Sequence, residues 1–122
     1  MRLKFGLALV LLAGGAVPAM VQPNCPPPIA PAAPDGHTST QAQMAAGVGD
    51  ANRFMKDSDV YQSCLVDYVK AQKDQATKDK TTFDKSIEAD AMKKITENQN
   101  EKVKVGADIN GAIGIFKASH PN

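Results

Sequence analysis

Tryptophan is absent from this 122-residue chain, and four phenylalanines and two tyrosines are its only aromatic residues of the Phe, Trp and Tyr type. Stacking platforms for bases or sugars need several exposed rings, so the composition argues against one. Neither sign of charge dominates, since 14 lysines and arginines stand against 13 aspartates and glutamates. Affinity for nucleic acid comes from neutralising phosphates, so this balance, without a basic block, argues against a nucleic-acid partner.

Catalytic and metal-binding motifs are also lacking. The chain has no G-x-S-x-G, no H-E-x-x-H and no phosphate-binding glycine loop. His37 and His120 are the only histidines, and neither has a sequence neighbour suited to nucleophilic or metal chemistry. They are interpreted as exposed residues, with a weak joint metal site as the alternative. We predict a protein that is not an enzyme and uses no cofactor or metal.

Residues 1–19 have the three parts of a secretory signal peptide. Arg2 and Lys4 form the positive end, an apolar run follows over residues 5–12, and Val17-Pro18-Ala19 offers small residues to a signal peptidase. An uncleaved anchor is the alternative, but glycines and a proline interrupt the apolar stretch, which is marginal for spanning a bilayer. We expect a periplasmic or secreted protein that touches membrane only through this segment, if the segment stays uncleaved.

The chain has only two cysteines, Cys25 and Cys64. In an exported protein an even cysteine count indicates a disulfide, and one intramolecular pairing exists here. A metal site is the rival interpretation, but two cysteines without nearby histidines do not complete a tetrahedral shell. Intermolecular pairing is the other alternative. We predict a Cys25–Cys64 disulfide within the chain.

Residues 20–37 form a proline-rich arm that ends in Pro34-Asp35-Gly36. Proline fixes φ and removes an amide donor, which excludes a helix or a central strand here. Polyproline II followed by a turn suits this composition. The arm could be a ligand for a proline-binding module. Because it contains Cys25, we favour an extended strap tied to the rest of the protein.

Residues 38–118 carry two stretches of helical periodicity, at about 38–77 and 82–117. The apolar arc of the first helix covers about half its circumference, roughly twice what one partner requires. One side is therefore expected to meet the second helix. The other side is expected to lie beneath the arm, and its members are Phe54, Tyr61, Cys64 and Tyr68. The second helix has one apolar face, which comprises Phe83, Ile87, Ala91, Ile95, Val105, Ile109, Ala112, Ile113 and Phe116.

The polar stretch at residues 77–82 is expected to be the turn between the helices. Thr38 or Ser39 can cap the first helix, and Thr81 with Asp84 resembles a capping box for the second. The predicted fold is all-α: an antiparallel two-helix hairpin with a disulfide-tethered proline-rich arm. The alternative is one continuous helix that dimerises as a coiled coil.

A candidate polar layer crosses the predicted hairpin midway along its length. Folding about residues 79–80 places Asn98 opposite Gln62 and Lys102 opposite Ser58, with nearby carboxylates for Lys102 at Asp57, Asp59 and Glu101. A buried polar group penalises slipped pairings, because leaving it unpaired costs free energy. We favour this register role over the alternative of a small polar ligand or partner contact.

Small residues concentrate at the open end of the hairpin, opposite the turn. They comprise Ala45, Ala46, Gly47, Gly49 and Ala51 in the first helix and Gly106, Ala107, Gly111, Ala112 and Gly114 in the second. Glycine inside a helix costs up to about 1 kcal/mol relative to alanine, so these glycines indicate close backbone approach or a bent end. Asn110-Gly111 could break the second helix. Membrane or partner docking by residues 111–116 is a further alternative.

The chain also resembles a group of short exported proteins of Gram-negative bacteria with no assigned activity. The shared pattern comprises Cys25 with its prolines, Pro34-Asp35-Gly36, Met44, Tyr61-x-x-Cys64-Leu65 and Phe116-Lys117-Ala118. It covers most of the chain after the signal segment. The resemblance implies a two-cysteine helical-hairpin plan and no particular activity.

From these observations we expect a non-catalytic periplasmic protein that serves as a helical interaction or scaffold module with a protein partner. The missing catalytic residues and the wide apolar arc favour this hypothesis. The alternative is a periplasmic binder of a small ligand, lipid or metal at the glycine-rich open end. Self-association stays open.

Overall fold

The structure is a computed structural model that describes residues 23–122. The predicted signal peptide, residues 1–19, and residues 20–22 of the predicted arm lie outside the described residues. Residues 23–122 contain two helices in contact with each other and no β-strand. The predictions of an all-helical fold with two helices in contact and of a Cys25–Cys64 disulfide are confirmed.

Helix α1 spans Gln41–Asp79 and begins at a capping box. The Thr40 hydroxyl accepts the backbone N–H of Gln43 at 3.1 Å, and the Gln43 side chain accepts the N–H of Thr40 at 2.8 Å. The sequence favours Thr38 or Ser39 as the cap, which is wrong. The backbone N–H of Ser39 instead bonds to the carbonyl of Asp35 in the preceding turn, at 2.9 Å.

Helix α1 ends at Asp79 and is capped by Lys80, which adopts a left-handed conformation with φ of 54°. Thr81 belongs to this end, since its backbone N–H donates to the carbonyl of Ala76 at 2.9 Å. The predicted capping box of Thr81 and Asp84 is therefore wrong. The break at residues 80–84 also excludes one continuous helix over the described chain.

Helix α2 spans Lys85–Ser119, and Asp84 is its cap. The Asp84 carboxylate accepts the backbone N–H of Ser86 at 2.9 Å. Hydrogen bonds from Ser86 lower the pKa of Asp84, and the side-chain hydrogen bond contributes more than the backbone one. The helix continues through Asn110-Gly111 without a break, because its neighbours Ile109 and Ala112 are buried and hold this turn in place.

Two apolar clusters lie along the contact between the helices, and buried Ser58 and Asn98 separate them in sequence. The turn-side cluster comprises Cys25, Tyr61, Leu65, Val69 and Ala91, with Cys64, Tyr68, Phe83, Ile87 and Ile95 packed against it. The open-end cluster comprises Ala51, Phe54, Val105 and Ile109, with Ala33, Val48, Met55 and Ile113 packed against it. Phe54 thus packs in a different cluster from Tyr61. Across residues 23–122 neither helix is apolar enough over a sufficient length to cross a bilayer.

Residues 23–39 contain no regular element, only a turn at 36–38, and they pack on both helices. A Cβ atom built on Gly36 would lie 2.4 Å from the carbonyl oxygen of Ala112. A Cβ on Gly47 would lie 2.6 Å from the Pro34 ring. Glycine at position 36 therefore lets this segment approach α2, and glycine at position 47 lets it approach α1. For three other glycines, Gly49, Gly111 and Gly114, no atom of residues 23–122 lies within 4 Å of such a Cβ, which leaves their predicted contact across the helices without support.

Gly36→Ala is expected to lower the free energy of unfolding by about 1–3 kcal/mol, because the new methyl group would meet helix backbone that cannot move aside. Gly49→Ala is the matched control. It adds a methyl group in open space inside α1 and should stabilise the protein by up to about 1 kcal/mol. Urea unfolding of both variants checks the pair. Equal stability for the two would contradict the close approach.

Candidate functional site

The Cys25–Cys64 disulfide ties the segment before the helices to the middle of α1. The bond joins residues 39 positions apart, and the two Cα atoms lie 5.8 Å apart. Cys25 is buried against Tyr61 and Leu65 in the turn-side cluster. A disulfide of this kind is compatible with an oxidising compartment outside the cytoplasm.

Three of the four predicted polar-layer residues meet in one hydrogen-bonded row. The amide of Asn98 donates to the Ser58 hydroxyl at 3.1 Å, and the amide of Gln62 donates to Asn98 Oδ1 at 2.8 Å. Lys102 lies beside this row and donates to Asp59 Oδ1 at 2.5 Å, one of the three carboxylates expected near it. Within residues 23–122 every buried side-chain nitrogen or oxygen has a hydrogen-bond partner. The buried polar atoms of Ser58 and Asn98 are therefore satisfied within the row.

Asn98→Ala is expected to cost about 1–3 kcal/mol of stability, because it leaves the fully buried Ser58 hydroxyl without its partner. Gln99→Ala is the control, since Gln99 is exposed and accepts only a 3.3 Å bond from Gln62. A double-mutant cycle with Ser58→Ala should give a coupling energy above about 0.5 kcal/mol. Additive costs in urea unfolding would show that the pair does not act together.

A groove between the helices near the turn is the feature that the sequence did not reveal. We call it the Val66–Met92 groove; it has a volume of about 320 Å³ and is lined by Leu65, Val66, Val69, Lys70, Lys73, Glu88, Ala91, Met92 and Ile95. Leu65 in its lining is 1% exposed, whereas Val66 is 56% and Met92 54% exposed. The available signal was that both residues are apolar but lie outside the predicted faces.

Charged groups close one part of the Val66–Met92 groove. Lys73 pairs with Glu88 across the helices at 3.0 Å, and its ammonium lies 5.4 Å from the centre of the Phe83 ring. Val66 lies two positions from Cys64, hence about 200° around α1, so the groove and the disulfide occupy different sides of that helix. The disulfide side holds Tyr61, whose pKa is raised by burial and, to a lesser extent, by the charges of Glu97 and Glu101.

The two histidines lie at the open end, each with its own contacts. His37 Nδ1 lies 3.1 Å from the Ser119 hydroxyl. The His120 ring stacks on Phe116 with centroids 4.2 Å apart, and its Nδ1 lies 3.0 Å from the Phe116 carbonyl oxygen. Residues 23–122 hold no cluster of three or more His, Cys, Asp or Glu side chains arranged for a metal ion. The structure therefore adds no third ligand to this pair.

Comparison with protein-family models, with curated proteins and with solved structures finds no match to this chain.

Proposed function

We propose that this chain is a non-catalytic periplasmic interaction protein, and that the Val66–Met92 groove receives an apolar side chain of a protein partner. The observation that carries the proposal is the pair of half-exposed apolar side chains, Val66 and Met92, beside the buried Leu65. Apolar surface rimmed by charged residues is typical of interaction sites. Lys70 at the rim would favour an acidic group next to the inserted side chain.

The proposal includes an antiparallel arrangement of the hairpin, with the proline-rich arm of residues 20–37 acting as a strap. Contacts between the helices support it, because they pair positions in opposite order along the chain. The pairs are Lys73 with Glu88, Gln62 with Asn98, and Asp59 with Lys102. The strap is supported by the Cys25–Cys64 bond at one end and by the contacts of Pro34 and Gly36 at the other.

Site-specific photo-crosslinking in the native host tests the proposed partner face. A photoreactive residue at Val66 should give an adduct of one defined mass. The matched control is Val60, another exposed valine that lies about 120° away around α1 and outside the groove. No adduct at Val66, or the same adduct at Val60, would contradict the proposal. An adduct of twice the chain mass would show that the partner is a second copy of this chain.

A small apolar ligand or lipid is the second candidate occupant. The groove volume of about 320 Å³ favours it, since this lies at the lower limit of ordinary ligand pockets. A thermal-shift screen with fatty acids and divalent metals would detect binding, because a ligand at 100 times its Kd stabilises the folded protein by about 2.7 kcal/mol. A fatty-acid shift that Val66→Asp removes would favour the ligand hypothesis over the protein partner.

A further inference from the structure

The Cys25–Cys64 disulfide lies at the junction of two shallow, solvent-open grooves. The first, here the Asp67 groove, has a volume of about 720 Å³ and includes Asp59, Ser63, Asp67 and Tyr68 in its lining. The second, here the Asp57 groove, has a volume of about 480 Å³ and includes Asp57, Tyr61 and Pro26–Pro28. Both grooves are also lined by Asn24, Cys25, Val60 and Cys64. A reagent can therefore approach the bond from two sides.

We propose that the Cys25–Cys64 bond is a redox latch, opened by a positively charged thiol reductant, that frees residues 23–32 from α1 and uncovers Tyr61. A thiolate of the reductant attacks one sulfur, the Sγ–Sγ bond breaks, and a mixed disulfide forms while the other cysteine leaves as a thiolate that takes a proton from water. A second thiolate of the reductant then attacks the mixed disulfide. The reductant is oxidised to its own disulfide, and both cysteines are reduced.

Contacts beyond residue 32 keep the opening local. Ala33 packs against the open-end cluster, Gly36 approaches the backbone of α2 at Ala112, and His37 contacts Ser119. Within residues 24–28 only Cys25 is buried, and its covalent bond joins this part to α1. Breaking the bond should therefore release this part while the two helices keep their contact. Tyr61, now buried beside Cys25, would become accessible.

Charge selects which thiols open the latch. Among residues 23–122 the linings of the two grooves contain three carboxylates, Asp57, Asp59 and Asp67, and no lysine or arginine. Asp59 is paired with Lys102, so Asp57 and Asp67 supply the uncompensated negative charge. Asp67 lies one helical turn from Cys64, which places their Cβ atoms about 5–6 Å apart. Since the attacking species is a thiolate, these carboxylates repel anionic thiols and favour a thiol that carries a positive charge.

The latch lies on a different side of α1 from the Val66–Met92 groove. Opening it leaves the proposed partner face in place. Failure of the latch would therefore leave the partner proposal standing, and failure of the partner proposal would leave the latch standing.

Tyrosine fluorescence of the folded, oxidised protein provides the test. The chain has no tryptophan, and its only two tyrosines, Tyr61 and Tyr68, pack against the disulfide cluster. Reduction by cysteamine, 2-mercaptoethanol and 2-mercaptoethanesulfonate compares a cationic, a neutral and an anionic thiol at equal thiolate concentration. We expect fluorescence to rise fastest with cysteamine and slowest with the sulfonate. Helical circular dichroism should stay unchanged.

Asp67→Asn is expected to speed reduction by the anionic thiol about threefold at low salt. This is the effect of removing the repulsion between two unit charges about 6 Å apart in water. Added salt should shrink the difference. Asp74→Asn, on the same helix but outside both grooves, is the matched control and should leave the rate unchanged. Loss of helix on reduction would overturn the latch, as would resistance to all three thiols in the folded protein. Equal rates with the three thiols would overturn the charge selection.

Discussion

Replacing both Cys25 and Cys64 by serine is expected to lower the free energy of unfolding by about 3–4 kcal/mol. The disulfide closes a loop between residues 39 positions apart, and without it the unfolded chain regains the conformational entropy of that loop. Urea unfolding of the mature protein, followed by far-UV circular dichroism, measures the difference. The change should appear as a lower midpoint with the helices retained in the absence of denaturant.

Two controls separate the bond from the local effect of the substitutions. The reduced wild-type protein should unfold with the same midpoint as the double serine variant. The single variants Cys25→Ser and Cys64→Ser should lose about as much stability as the double variant, because either substitution already removes the bond. A double variant that loses less than about 1 kcal/mol would show that the disulfide does not hold the segment and the helix together.

Leu65→Ala is expected to cost about 3 kcal/mol of stability. Leu65 is 1% exposed and packs between Tyr61, Val69 and Ala91, so its truncation removes buried surface and leaves a cavity. The next residue provides a matched control. Val66 is more than half exposed, and Val66→Ala should change the stability by no more than about 0.5 kcal/mol.

Substitutions at the same two positions distinguish packing from binding when the photoreactive residue is placed at Met92 instead of Val66. Val66→Asp should abolish the crosslinked adduct formed at Met92 while leaving the free energy of unfolding almost unchanged. Leu65→Ala should lower the free energy of unfolding, and it should affect the adduct only through that loss of stability. Similar stability losses at Leu65 and Val66 would mean that Val66 is part of the core and that the proposed partner face does not exist.

The helices and the disulfide could be predicted because each depends on a strong signal in the sequence. Apolar residues recur with helical spacing from Met44 to Val69 and again from Ala91 to Ala112, and these positions include most of the buried residues of each helix. Within the chain Cys25 can pair only with Cys64, since the chain has only two cysteines. These features are set by periodicity and composition.

The helix caps could not be placed from the sequence, because several residues offer the same chemistry. Thr38, Ser39 and Thr40 can each cap a helix, and the choice of Thr40 depends on the turn at Asp35 that engages Ser39. Asp84 similarly replaced the expected cap at Thr81 once Thr81 bonded back to α1. Such choices depend on the path of the backbone before the helix begins.

The Val66–Met92 groove and the contact at Gly36 were missed for a geometric reason. Each depends on the distance between two elements, which no periodicity in one element can give. In the sequence Gly36 indicates only a turn. In the structure, a side chain at this position would collide with the backbone of α2 at Ala112. Val66 and Met92 read as exposed apolar residues on separate helices, and only the pairing of the helices brings them to one groove.

Intact-mass spectrometry of the protein purified from its native host, alkylated before and after reduction, tests most directly the central claim of an exported, disulfide-latched interaction protein. We predict a chain that lacks residues 1–19 and takes up no alkylating reagent until it is reduced, after which it takes up one group at Cys25 and one at Cys64. A full-length chain that is alkylated at both cysteines without reduction would contradict both the export and the latch.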